Sequence, residues 1–160
     1  MIKSDINIIY LLKRGFKMIR VLFICNHNAV RSQMAEAFLN KLGNGFFLAE
    51  SAGLIPTEVH PATIIVMEEI GYDISNQSTN SVFGYYRENR EYSIVVKMCD
   101  KKEGDSCPVF KGTEKELYWS LDDPAKIEGT NEEKLNKLRK IRDELKIKVE
   151  LLVEEFIELF

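Results

Sequence analysis

Seven consecutive residues, Ile19–Cys25 (IRVLFIC), form an apolar run interrupted only by Arg20. A strand with one wet face alternates apolar and polar side chains, so this run belongs to a strand covered on both faces. Tyr92–Met98 (YSIVVKM) predicts a second buried strand. Elsewhere the apolar spacing changes to three and four residues. Ala35, Phe38, Leu39 and Leu42 predict a helix over Ser32–Leu42, with Gly43 as its stop. Pro61 opens another helix, with Ala62, Val66 and Ile70 on one side and Gly71 closing it. A weakly patterned helix is expected over residues 80–90. Leu135, Leu138, Ile141, Leu145, Val149, Leu152 and Phe156 predict an amphipathic helix over residues 131–160, capped by Thr130 or Asn131. Shorter strands are expected at Phe46–Glu50, ending in the turn Ser51–Gly53, and at Glu116–Trp119. Strands alternating with helices imply an α/β fold, a small parallel sheet with helices on both faces. Ligands of such sheets gather at the carboxyl ends of the strands.

The 160 residues suffice for one domain with its own core. Met1–Lys17 holds one short apolar run, Ile8–Leu12, too short for a membrane span and followed by no small-residue cleavage site. It is expected to be an N-terminal extension outside a single catalytic domain of residues 18–160. A net charge of −3 offers no basic surface for nucleic acid or an anionic membrane. Neither partner is expected, and a cytoplasmic location is. Three cysteines, Cys25, Cys99 and Cys107, are too few for a disulfide scaffold. Paired Cys-x2-Cys and His-x3-His spacings are missing and His27 and His60 are the only histidines, so neither a metal nor a cofactor is expected.

Cys25 stands where the first strand ends, and Arg31-Ser32 where the first helix begins. Asn26, His27, Asn28, Ala29 and Val30 lie between, giving Cys-x5-Arg-Ser. A loop of that length, running into a helix N-terminus, can aim several backbone N–H groups at one tetrahedral oxyanion. The Arg31 guanidinium would add two parallel donors and a fixed charge. That field favours an ionised Cys25 sulfur as nucleophile, and Ser32 could donate to it. The plainer reading makes Cys25 a buried thiol and Arg31 a solvated helix residue. Their position at the strand–loop–helix junction favours the cradle. His27 is then a tuning or solvent-facing residue, and His60 a residue at the start of its helix.

Cys25–Ala37 (CNHNAVRSQMAEA) resembles the active-site loop and following helix of the low-molecular-weight protein tyrosine phosphatase superfamily. Arg31–Glu36 is most similar to its thioredoxin-coupled arsenate reductases. The resemblance continues through Glu50–Gly53, Asp73–Gln77, Trp119–Ala125 and Gly129-Thr130, leading into Arg142–Glu144. It implies a four-stranded parallel sheet in a three-layer, phosphatase-like sandwich. It also implies that Asp123, the Asp before Pro124, is the general acid, a role that a departing arsenate or phosphate oxygen requires. Without the resemblance, Asp122-Asp123-Pro124 reads as a turn.

A phosphatase of this kind needs one reactive thiol. The resemblance implies a use for the other two: Cys25 attacks arsenate, Cys99 attacks Cys25 as arsenite leaves, and Cys107 attacks Cys99 to leave a disulfide for a thioredoxin-like reductant. The loop Asp100–Ser106 between them is expected to be mobile. Three departures stand out. Cys99 and Cys107 are separated by seven residues, one more than is usual in the family, and Val30 stands where a further Cys is common. Some members hold potassium beside the loop; Asn28, Glu36 and Ser51 match that pattern, while Asn80 replaces an expected Asp. Two alternatives remain open: phosphomonoester hydrolysis through a phosphocysteine, and a non-catalytic oxyanion or redox sensor.

Overall fold

The computed structural model describes residues 15, 17–99 and 105–158, with side-chain surroundings as far as residue 156. Strands β1 (Ile19–Cys25), β2 (Phe47–Gly53), β3 (Ile94–Lys97) and β4 (Lys115–Tyr118) form one sheet in the order β2-β1-β3-β4. All neighbouring pairs are parallel. Helices α1 (Arg31–Leu42), α2 (Pro61–Glu68), α3 (Val82–Arg87) and α4 (Asn131–Glu158) connect and flank them, with a short 3-10 turn at Pro124–Lys126.

The apolar run of β1 puts it inside the sheet, and its alternation divides the core. Val21, Phe23 and Cys25 face the larger core, which contains residues of α1, α2 and α4. Leu22 and Ile24 face a second core with Val82 and Tyr85 of α3, Tyr92, Cys107 and Phe110. The architecture is therefore the four-stranded parallel sheet with helices on both faces that the sequence predicts. From α4, Leu138, Ile141, Leu145, Val149 and Leu152 are buried as their spacing requires. Each such side chain removed from water contributes about 1.5–3 kcal/mol before entropy is counted. Thr130 Oγ1 accepts from the Glu133 amide at 3.2 Å and the Thr130 amide donates to Glu133 Oε2 at 3.4 Å, a reciprocal cap on α4.

Several boundaries differ from the predicted ones. Ser51–Gly53 is strand rather than turn, because Phe23, Ile24 and Cys25 pair with Ser51, Ala52 and Gly53. Gly43 ends α1 with an ordinary φ of −73°. Its lack of a side chain matters for space, since a Cβ there would lie 2.6 Å from the Leu39 carbonyl oxygen. The left-handed positions at this helix end are Asn44 and Gly45. Helix α2 stops at Glu68, and the chain turns on through Gly71. Helix α3 begins only at Val82, capped by Ser81 Oγ on the Gly84 amide, because Asn80 is committed to the loop described below. Apart from residues 15 and 17, the expected N-terminal extension lies outside the described residues, as does most of the expected mobile loop. No described helix is long and apolar enough to cross a membrane.

Candidate active site

Strand β1 delivers Cys25 to the carboxyl edge of the sheet, and residues 26–30 turn the chain into α1. The loop is held from one side: Leu54, Ile55, Thr57 and His60 amides donate to the carbonyls of Cys25, Asn26, His27 and Ala29 at 2.8–3.2 Å. In a trans peptide the N–H opposes its C=O, so the amides following these carbonyls point to the other side. Among the described residues, the amides of 26–32 donate to no carbonyl. Asn28 supplies the required left-handed kink at φ 53°, and Val30 provides no side-chain cap for α1. The result is a concave set of unpaired donors at a helix N-terminus, suited to an oxyanion. Gly53, beside Cys25 in β2, lets the loop lie on the strand. A Cβ there would approach Asn26 O and Asn28 N to 2.9 Å.

Beneath the loop runs a buried hydrogen-bond chain. Asn28 Nδ2 donates to Ser32 Oγ at 2.7 Å and to Ser51 Oγ at 2.9 Å. Ser51 Oγ donates to Glu36 Oε2 at 2.6 Å. Ser32 Oγ, which accepts from Asn28 Nδ2, is in hydrogen-bond contact with Cys25 Sγ at 2.9 Å and can donate its proton to that sulfur once it is ionised. Asn28 Oδ1 accepts from the Asn80 amide at 2.9 Å. Gln33 Nε2 binds Asn28 O and Ser78 O, and Gln77 holds Gln33. The residues matched to a potassium site therefore bind one another, and Asn80 offers N–H donors to Asn28 Oδ1 and Ser51 O where a cation needs oxygens. Among the described residues, no group of three or more His, Cys, Asp and Glu could hold a metal.

Burial pushes the Glu36 carboxyl up to about 7, with Glu50 adding to the effect and the Ser51 hydrogen bond opposing it. The folded state thus holds this proton more tightly than the unfolded chain does. Stability linked to Glu36 is fully present below the unfolded value of 4.5 and is lost as pH rises toward about 7. Glu36→Gln should leave urea stability unchanged near pH 4 and raise it at pH 8, by on the order of 1–3 kcal/mol. Equal gains at both pH values would contradict the assignment.

Arg31 is 6 % exposed. Its NH1 donates to Met98 O at 2.7 Å, and its NH2 lies 3.9 Å from Asp123 Oδ1. The Met98 carbonyl takes the NH1 arm and fixes the guanidinium, which leaves the parallel Nε and NH2 donors on its other edge. Asp123 caps the 3-10 turn through the Ala125 amide at 2.9 Å, so it is turn former and site carboxylate at once. A cleft of about 760 Å³ is lined by Cys25, Arg31, Asp123, His27 and His60 together with apolar residues of α2 and α4. Asp122 is exposed and absent from its lining. His27 is exposed with Nδ1 3.0 Å from Ile55 O, while His60 Nδ1 accepts from the Ala62 amide and caps α2.

Cys99 and Cys107 are both buried, and their side chains share a hydrogen bond. That bond holds the Cys107 thiol below its ordinary pKa, with burial opposing it and the Lys97 ammonium assisting. Cys107 lies in the second core and Cys25 in the first. Cys25, Arg31, Ser32 and Asp123 are brought together, and Cys99 is brought to Cys107. Sequence reasoning missed the Met98 carbonyl, the Gln33–Gln77 clasp and the need for Gly53. Of these, only the glycine ending a buried strand left a readable signal.

The family model for the low molecular weight phosphotyrosine protein phosphatase matches residues 20–158. An arsenate reductase of Halalkalibacterium halodurans is 34% identical over 134 residues, 84% of this chain and 94% of the relative. A glutaredoxin arsenate reductase of Synechocystis sp. is 35% identical over 138 residues, 85% and 97% of the two chains. Among solved structures, an arsenate reductase in the phosphate binding state gives a TM-score of 0.69 at 33% identity, covering 86% of this chain and 98% of its own. A thioredoxin-dependent arsenate reductase of Corynebacterium glutamicum gives 0.59 at 27%, covering 93% and 71%. With the sheet order, the cradle and a match across nearly all of the described residues in agreement, the chain belongs to the low molecular weight phosphotyrosine protein phosphatase family.

Proposed function

We propose that this protein is an enzyme that reduces arsenate to arsenite through a three-cysteine relay and is recycled by thioredoxin or a similar dithiol protein. The observation that carries the reading is the second thiol pair, Cys99 and Cys107, buried in mutual contact in a chain whose Cys25 already stands at an oxyanion cradle. Hydrolysis alone has no use for that pair. The relatives named arsenate reductase support the same reading, and the names of two include glutaredoxin and thioredoxin.

In the mechanism, arsenate sits on the amides of 26–32 with the Arg31 arm that faces Asp123. The Cys25 thiolate forms an S–As bond and one arsenate oxygen departs as water, its proton supplied by Asp123. Ser32 donates to the Cys25 sulfur in the resting state, steadying it as nucleophile and later as leaving group. The Cys99 thiolate then attacks Cys25 Sγ. The S–As bond breaks with its electron pair going to arsenic, which leaves as arsenite, and a Cys25–Cys99 disulfide remains. Cys107 attacks Cys99, Cys25 departs as thiolate, and the Cys99–Cys107 disulfide is reduced by the external dithiol. Since Cys25 and Cys107 occupy opposite cores, Cys99 is the thiol that has to reach both sulfurs during the cycle.

A second reading, phosphomonoester hydrolysis, is favoured by the proximity of Asp123 to the cradle, because an acid beside the cysteine serves a phosphocysteine equally well. Two assays separate them. Arsenate with thioredoxin, thioredoxin reductase and NADPH should give sustained arsenite release, with p-nitrophenyl phosphate turned over weakly without reductant. Efficient hydrolysis with no arsenite would replace the proposal by the phosphatase. Free thiols counted after arsenate addition should fall by two per chain; a sensor that only binds would lose none.

A further inference from the structure

Lys97 has no part in the chemistry above, yet it is a lysine inside a parallel sheet and only 8 % exposed. Burying an ammonium is costly unless it is paired. Its partners are Glu116 on β4, in direct ion-pair contact, and Tyr118, whose hydroxyl lies 3.4 Å from Nζ and whose ring centroid is 5.4 Å away. Burial works against the charge, but Glu116 and Tyr118 outweigh it and hold the ammonium above the ordinary lysine range. On β3, Ile94 and Val96 face the first core and Val95 the second. Strand alternation thus puts Lys97 on the face of Val95, the side where Cys107 packs. Two residues further along the chain is Cys99. Lys97 and Cys107 therefore share one side of the sheet, opposite the core that holds Cys25, and Cys99 is hydrogen-bonded to Cys107.

We propose that Lys97 is a positioning residue for the resolving step, a fixed positive charge that readies the Cys107 sulfur to attack Cys99. The inference rests on the relay reading given above. In the step it serves, Cys107 gives up its proton to solvent. Its sulfur bonds to Cys99, the Cys25–Cys99 bond breaks, and Cys25 leaves as thiolate, so the disulfide moves with no net change of oxidation state. Thiolate attack speeds up when a nearby cation favours ionisation of the attacking sulfur. The influence of Lys97 on the Cys107 thiol has that sign, and the Glu116 carboxylate has the opposite one.

The test is iodoacetamide labelling of the reduced full chain at pH 7, with the rate at Cys107 read by peptide mass spectrometry relative to Cys25 in the same sample. Lys97→Gln should slow Cys107 labelling by on the order of fivefold, with Lys97→Arg holding the normal rate. Glu116→Gln, which removes the opposing carboxylate, should leave the rate unchanged or raise it. An unchanged or faster rate in Lys97→Gln overturns the proposal. So does slowing in both Lys97→Gln and Glu116→Gln, since that outcome reports disturbed packing rather than charge. The labelling uses no arsenate and no reductase. Its failure is therefore distinct from failure of the relay reading, which appears as absent arsenite release by the unaltered chain.

Discussion

Cys25→Ser should abolish arsenate reduction and aryl phosphate hydrolysis together, each by at least about a thousandfold. Cys99→Ser and Cys107→Ser should abolish sustained arsenate reduction to the same extent while leaving hydrolysis within about twofold of the unaltered chain. The asymmetry follows from the two cores. Cys25 is hydrogen-bonded to Ser32 at the cradle, whereas Cys107 packs against Leu22, Ile24 and Phe110 beneath the opposite face of the sheet. A serine hydroxyl keeps the size of a thiol but cannot form the disulfide. Cys99→Ser should also stop after one turnover with arsenic still bound to Cys25, which intact-mass measurement of the quenched protein would detect. Cys107→Ser should stop one step later, at a Cys25–Cys99 disulfide. Should either variant sustain arsenite release with thioredoxin at the normal rate, the relay is wrong.

The second large effect is expected from a residue with no side chain. Gly53→Ala places a Cβ 2.9 Å from Asn26 O and Asn28 N and 3.0 Å from the His27 carbonyl carbon. Those contacts are all backbone, so no rotamer change relieves them. The loop must lift from β2, which disturbs the Ile55–Asn26 and Thr57–His27 hydrogen bonds and turns the cradle amides from their common focus. We expect a stability loss of about 2 kcal/mol in urea unfolding and phosphate binding weakened by on the order of a hundredfold by calorimetry. Gly45→Ala serves as comparison: a Cβ there meets nothing within 4 Å, and its cost is confined to its left-handed φ of 82°. It should destabilise modestly and leave phosphate affinity unchanged. If the two variants bind phosphate equally well, close approach at Gly53 does not shape the cradle.

The sequence by itself determined the sheet and the place of the loop. Apolar runs at Ile19–Cys25, broken only by Arg20, and at Ile94–Val96 identify strands buried on both faces, and the spacing from Leu138 to Leu152 identifies the helix beside them; these are local periodicities that any folded solution must satisfy. Cys25 before a polar loop and Arg31-Ser32 after it mark the strand–helix junction for the same reason. Which partners those residues meet was settled only by tertiary structure, because contacts between residues 67 or 92 positions apart leave no trace in local patterning. Arg31 binds the Met98 carbonyl and faces Asp123; Ser51–Gly53, with the look of a turn, is drawn into strand by pairing with Phe23–Cys25. The sorting of the cysteines, Cys25 to one core and Cys107 to the other, depends on strand order and side-chain alternation together. Neither of these is a property of the residues taken one segment at a time.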